Sequence, residues 1–223
     1  MQRRLLFAAI WVGLVVYAFA FAPPDQPDTV ELITQLSTGQ WDGINPWTIA
    51  LFNAMGIWPL VYSGILFADG DGQRVRAWPF AIASMAVGAF ALLPYLVLRT
   101  PHQTWSGVKG WGLKIWDLRW LGLIGLGGAI ACLGFGITQG DGANFVQQWQ
   151  TSRFIHVMSL DFCLLSLLFP TLVPDDMARR GIDSPVLLWL TVLPLLGPCL
   201  YLIVRSPLVP TSPAPLVTQG NSL

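Results

Sequence analysis

Apolar residues run along this chain in long blocks, and the charged residues fall between the blocks. Six stretches stand out: Leu5–Ala22, Thr48–Ala68, Pro79–Leu98, Leu121–Thr138, Phe154–Val173 and Val186–Val204. A helix needs about 20 apolar residues to cross roughly 30 Å of hydrocarbon, and each stretch approaches or meets that length. Of the 24 charged residues, 23 lie outside the stretches; Asp161 alone lies inside. Buried helices of a soluble protein do not sort charge so strictly. The pattern predicts an all-α polytopic membrane protein, a bundle of about six transmembrane helices in one domain over residues 1–205. A flexible tail is expected over 206–223, where prolines and small polar residues replace the periodic pattern.

Composition sharpens the class. The 223 residues are 11% charged and 54% apolar, against about 25% charge in an ordinary soluble domain. Twelve basic and twelve acidic residues cancel, which removes any global electrostatic footprint for nucleic acid. Met1–Arg4 is a short basic segment, and Ala18-Phe19-Ala20 has the small-x-small form of a signal cleavage site. The 18-residue apolar run behind it exceeds the usual signal core, so an uncleaved anchor is expected. Cys132, Cys163 and Cys199 all sit in apolar stretches and give no disulfide framework.

Orientation is undecided by charge. Six straight spans place six Lys and Arg on each side of the membrane, and only Arg3 and Arg4 before the first span favour cytoplasmic termini. Between the third and fourth stretches, Trp105, Trp111, Trp116 and Trp120 interleave with Lys109, Lys114 and Arg119. That mixture reads as an aromatic belt in contact with lipid headgroups. The fourth stretch is rich in small residues without a nucleotide-loop spacing. Gly125 with Ala129, and Gly127 with Ala131, stand four apart, as in helices whose backbones approach closely.

The candidate chemistry is sparse. Asn53, His156, Ser159 and Asp161 are the intramembrane polar positions of note. Asp161 should face protein or a wet cavity and have a partner: Tyr62, Tyr95, Asn53, or a backbone donor where Pro59 or Pro94 distorts a helix. It lies about 140° around a regular helix from His156, so the two do not pair. His156 is a weak candidate ligand for haem iron or chlorophyll magnesium. His102, the other histidine, falls at the opposite membrane face, which excludes axial pairing within the chain. No cofactor is required by any motif, and no catalytic constellation appears, so an enzyme is not expected.

Three strings, Leu51–Leu60, Leu92–Arg99 and Ser152–Phe162, resemble an uncharacterised integral-membrane family of cyanobacteria and chloroplasts. The resemblance covers most of Asn45 to Gly181 and carries no assigned site. It implies a thylakoid or cyanobacterial plasma membrane. The reading that follows is a non-catalytic accessory or assembly protein, packed against other integral membrane proteins and lipid, of photosynthetic membrane complexes. A small-solute or ion transporter, and a pigment- or haem-binding protein using His156, are the alternatives. Repeated halves, interrupted helices and midplane ionisable groups would favour transport.

Overall fold

The computed structural model describes residues 2–105 and 111–208. Among these it is all-helical, and four continuous helical runs are long and apolar enough to span a membrane: Gln2–Phe21, Pro46–Asp69, Arg119–Gln139 and Arg153–Arg179. The first is α1 (Gln2–Val16) continued by a π-helical turn, Tyr17–Phe21. It is followed by a short α2 (Thr29–Thr38), which Gly39 ends in the left-handed region, φ 79°. The second is α3 (Pro46–Asp69), started by Pro46 and capped by the Asn45 side chain, which accepts from the Trp47 N–H. The third is α7 (Arg119–Gln139). The fourth joins α9 (Arg153–Leu168) to α10 (Val173–Arg179) through one 3-10 turn at Pro170.

The expected spans 79–98 and 186–204 are not single helices. Pro79–Leu98 divides into α4 (Trp78–Val87) and α5 (Ala89–Leu98), and Gly88 between them takes φ 50°, ψ −125°. The two are antiparallel, since the Phe80 and Tyr95 rings lie 5.6 Å apart. Both outer ends return to the same side, where the Gln73 side chain accepts from the Thr100 N–H at 2.8 Å. The last stretch divides similarly into α11 (Pro185–Leu190) and α12 (Leu196–Val204), with Leu195 at φ 56°. Here too both ends meet on one side: α11 starts beside α10, and Arg205 beyond α12 reaches Asp176 of α10 at 3.2 Å. With ten residues, α5 is about 15 Å long, half of a roughly 30 Å hydrocarbon layer. The architecture is four long helices and two re-entrant hairpins.

Both hairpins enter from the side that carries the N-terminus, called proximal below. Arg4 donates to Thr100 Oγ1 at 3.1 Å and Trp11 Nε1 to the Phe90 carbonyl at 3.0 Å, which fixes α1 antiparallel to α5. The opposite, distal side holds α2, α8 (Gly142–Thr151) and the contact of Asn45 Nδ2 with Asn144 Oδ1 at 2.8 Å. The proximal side also carries α6 (Trp111–Trp116), whose Trp116 stacks on Phe67 at 5.3 Å. Of the eleven described Lys and Arg residues, ten belong to the proximal side and only Arg153 to the distal one. The even split given by six straight spans was produced by passing the two hairpins across the membrane.

The element order repeats. A helix runs proximal to distal (α1, then α7), a short distal helix follows (α2, then α8), a helix returns (α3, then α9–α10), and a hairpin closes the unit. The sequence repeats at the same places: Asp69 and Asp175, Pro79 and Pro185, Tyr95 and Tyr201, Arg99 and Arg205, and Pro101 and Pro207 are all 106 residues apart. Tyr95-Leu-Val-Leu-Arg-Thr-Pro101 reappears as Tyr201-Leu-Ile-Val-Arg-Ser-Pro207. The chain is two tandem units of one design, in which α3 of the first packs against α9 of the second.

The two glycine pairs of α7 face different surroundings. Gly125 and Ala129 are buried, with Gly125 against Cys199 Sγ of α12 and Ile57 and Val61 of α3. Gly122 is closer still: a methyl there would meet the Cys199 carbonyl. Gly127 has open space around it and, with Ala131, lies on the outer surface. At the chain's end, Leu208 is buried and its N–H donates to Asp117 Oδ2 at 3.2 Å, so the expected free tail does not begin at 206. Residues 209–223 of that tail, like Lys109, lie outside the described residues.

Two outcomes are expected. Single cysteines at Asp71 and Thr104, in a chain whose native cysteines are alanine, should react with an impermeant thiol reagent from one and the same side of sealed vesicles. Reaction from opposite sides would require α4 and α5 to cross the membrane as one helix. Gly122→Leu and Gly125→Leu should each lower the unfolding midpoint in detergent by an amount matching about 1–3 kcal/mol of overpacking. Gly127→Leu should leave it within about 0.5 kcal/mol.

Candidate functional site

The break at Gly88 releases backbone groups at mid-membrane depth, where no bulk water can satisfy them. Asp161 meets that demand from α9, its Oδ1 accepting the Ala89 N–H at 2.7 Å. The first N–H groups of α5 carry the positive end of a helix dipole, so a carboxylate suits the position. Of the partners considered from sequence, the backbone donor is the one found, but glycine rather than proline creates it. Tyr62 donates to the Leu165 carbonyl, Tyr95 to Asp69, and Asn53 to the Ile49 carbonyl of its own helix. The close seat also requires glycine at 88, because a Cβ there would run into Asp161 Oδ2.

Asp161 is 5% exposed, and that remnant opens on a cavity of about 550 Å³ on the distal side of the hairpin tip. Oδ2 has no hydrogen-bond donor among the described residues and is not sealed from the cavity. The walls are Phe52 and Met55 from α3, Phe154 and Met158 from α9, and Phe19 beyond α1, with Arg153 and Asp25 at the mouth. The size falls within the roughly 300–1,000 Å³ of ordinary small-molecule pockets.

A second cavity, of about 460 Å³, occupies the corresponding place at the tip of the α11–α12 hairpin. It is bounded by Leu193–Leu196, Ala129 and Cys132 of α7, Ala50 and Ala54 of α3, and Ser159 and Cys163 of α9. Position for position the two units differ: Asp161 has Met55 as its counterpart 106 residues earlier, and Ser159 has Asn53. The Ser159 hydroxyl is turned to the Ile155 carbonyl of its own helix at 2.7 Å. No carboxylate lines the second pocket, and Met55 itself lies in the wall of the first.

The structure does not assemble the other sequence candidates around Asp161. His156 is at the distal end of α9, buried between the rings of Tyr17 and Trp149 with centroids at 5.8 and 4.4 Å. Nε2 shares a hydrogen bond with the Tyr17 hydroxyl at 2.9 Å, and Nδ1 one with the Trp149 carbonyl at 2.9 Å. A metal could take a ring nitrogen only by displacing one of them. His102 is on the proximal side beside Gln73 at 3.1 Å.

Sequence reasoning missed an ionic network on the proximal side. Among the described residues, four arginines and four aspartates meet there. Arg99 grips Asp69 with Nε at 2.8 Å and Nη2 at 2.6 Å, and reaches Asp175 at 2.5 Å. Arg179 adds a bond to Asp69 at 3.0 Å. Arg180 binds Asp176 at 2.8 Å and Asp117 at 2.7 Å, and Arg205 joins both carboxylates. Tyr95 and Tyr201, related by the repeat, donate to Asp69 at 2.6 Å and Asp176 at 2.7 Å. Burial opposes the charged form of Arg180, yet Asp176 and Asp117 outweigh it and raise its pKa above the ordinary arginine value. Arg99 is raised likewise, with Asp69 and Asp175 overcoming burial. The duplicated Tyr-x-x-x-Arg string was the available signal.

Comparison with protein-family models, with curated proteins and with solved structures gives no match for this chain.

Removing one partner of a buried pair strands the others. Arg99→Met should cost about 3–5 kcal/mol in detergent unfolding, because Asp69 and Asp175 are left under-compensated. The exposed Asp183→Asn, 8 residues from Asp175 on the same side, should change stability by less than about 0.5 kcal/mol.

Proposed function

We propose that this chain is a non-enzymatic membrane carrier that loads a small solute from the distal side into the cavity above the α4–α5 hairpin. The observation that carries the reading is Asp161: a buried carboxylate at a helix break, with one oxygen turned to a cavity of about 550 Å³. Three features associated with carriers accompany it, namely duplicated units, helices broken at mid-depth and an ionisable group at the break. α3 of the first unit and α9 of the second line both cavities, so a tilt of one unit against the other would change access to either.

The charge asymmetry supports an orientation. With ten described basic residues proximal and one distal, the positive-inside rule supports a cytoplasmic proximal side. A thylakoid or cyanobacterial plasma membrane is the setting that the sequence resemblance suggests. The accessory or assembly reading retains one specific support. Gly127 and Ala131 present small residues on the outer surface of α7, where a neighbouring helix could approach closely.

The carrier reading is tested without knowing the solute. A cysteine replacing Val157 in the cavity wall should react with an impermeant thiol reagent quickly from the distal side of sealed vesicles. It should also react slowly from the proximal side, since a minor conformer at about 0.1–10% is enough. Reaction from the distal side alone, however long the exposure, would replace a carrier by a one-sided binding site.

A further inference from the structure

Every other buried aspartate among the described residues has an arginine partner. Asp69 has Arg99 and Arg179, Asp175 has Arg99, and Asp176 has Arg180 and Arg205. Asp161 has none. Its single described hydrogen bond comes from the Ala89 backbone. Arg153, the one cation lining the cavity, begins the same helix eight residues earlier, about 12 Å away along the axis. Its Nε is engaged with the Pro23 carbonyl at 3.0 Å. An ionised carboxylate at this depth calls for a countercharge, and each of the other buried aspartates among the described residues has one.

The remaining walls define the rest of the ligand. Phe52, Met55, Phe154, Val157 and Met158 offer only apolar contact, and the hydroxyls of the lining Ser84 and Thr29 are spent on the Ala81 and Gln26 carbonyls. The cavity is also reached past Phe19 and Met85, which are 74% and 66% exposed and would face lipid in the distal leaflet. A molecule arriving there would be apolar in body. At the mouth Asp25 offsets Arg153, so no net positive charge guards the entrance.

We infer that the cavity binds a protonated amine on a compact apolar body, its ammonium group donating to Asp161 Oδ2 while the body fills the space between α3 and α9. The inference rests on the site used in the carrier reading but not on transport itself. The fit is charge to charge at the base and hydrocarbon to hydrocarbon along the walls. The vacant lone pairs of Oδ2 accept the N–H, and the α5 N-terminus holds Oδ1 so that the carboxylate cannot turn away. The second cavity has no such base, since no carboxylate is among its lining residues.

Three probes sharing one cage separate the head groups: 1-aminoadamantane, 1-adamantanol and adamantane-1-carboxylate. Their binding is measured calorimetrically to the full chain in lipid nanodiscs, with empty nanodiscs subtracted. The amine should bind at least about tenfold tighter than the alcohol, as a charge-assisted hydrogen bond requires, and the carboxylate should not bind measurably. Asp161→Asn should bring amine and alcohol to equal affinity, and Val157→Trp should abolish binding of both by filling the cavity. Equal affinity of amine and alcohol in the unmutated chain, or tighter binding of the carboxylate, overturns the inference; so does an amine preference that survives Asp161→Asn. The unmutated comparison decides the matter even where the variants fail to accumulate. Amine binding combined with one-sided labelling of the Val157 cysteine upholds this inference and removes the carrier reading. Two-sided labelling without an amine preference does the reverse.

Discussion

The structure depends on buried charge being matched on the proximal side. Half-length helices have little to hold them in a bilayer, because lipid tails are as apolar as the side chains they would pack against. Here each hairpin is anchored at its returning end by an arginine, Arg99 after α5 and Arg205 after α12. Each arginine lands on carboxylates at the ends of the long helices. Tyrosines one turn earlier reinforce the same carboxylates. Asp175 belongs to the second unit and binds Arg99 of the first, so the network also joins the units. Among the described residues, four arginines and four aspartates share the cost of desolvation, and each depends on the others for its countercharge.

Duplication gives the two units a common frame and lets their tips diverge. In the first hairpin the break is at glycine, and the freed N–H of Ala89 is satisfied by a side chain from the other unit. In the second the break is at Leu195, and the turn closes on itself, with Leu196 N–H on the Pro194 carbonyl at 2.6 Å and Gly197 N–H on that of Leu193 at 3.0 Å. One tip thus needs a carboxylate beside it and the other does not. The difference between a polar-based cavity and an apolar one follows from how each turn disposes of its own backbone.

Much of this was legible in the residues. The apolar blocks place all four long helices, and the isolation of Asp161 within them marks the position around which the first cavity is built. The hairpins were not legible as such, since Pro79–Leu98 is an unbroken apolar run and Gly88 is one glycine among 22. An apolar pattern records that a segment avoids water; it does not record whether the segment turns back. The equal division of Lys and Arg between two faces was a sign of something wrong with six crossings, because inserted helices usually carry a bias. Of the small residues in α7, periodicity found both stripes, but only neighbours decide that Gly125 packs inward and Gly127 outward. His156 illustrates the opposite case: the residue type suggested a metal, while its two hydrogen bonds are supplied by Tyr17 and Trp149, one distant and one near in sequence.

The bond between Arg99 and Asp175 also bears on the order in which the protein is made. Asp175 follows Arg99 by 76 residues, so the first hairpin leaves the ribosome with only Asp69 to receive its arginine. Arg179, the second donor to Asp69, emerges later still. Until then the nascent first unit carries an incomplete ionic seat and an apolar segment long enough to be taken for a crossing helix. Synthesis of the second unit from the same message delivers the missing carboxylate beside it at once and in equal number. Biogenesis thus gives the two units a reason to remain one polypeptide.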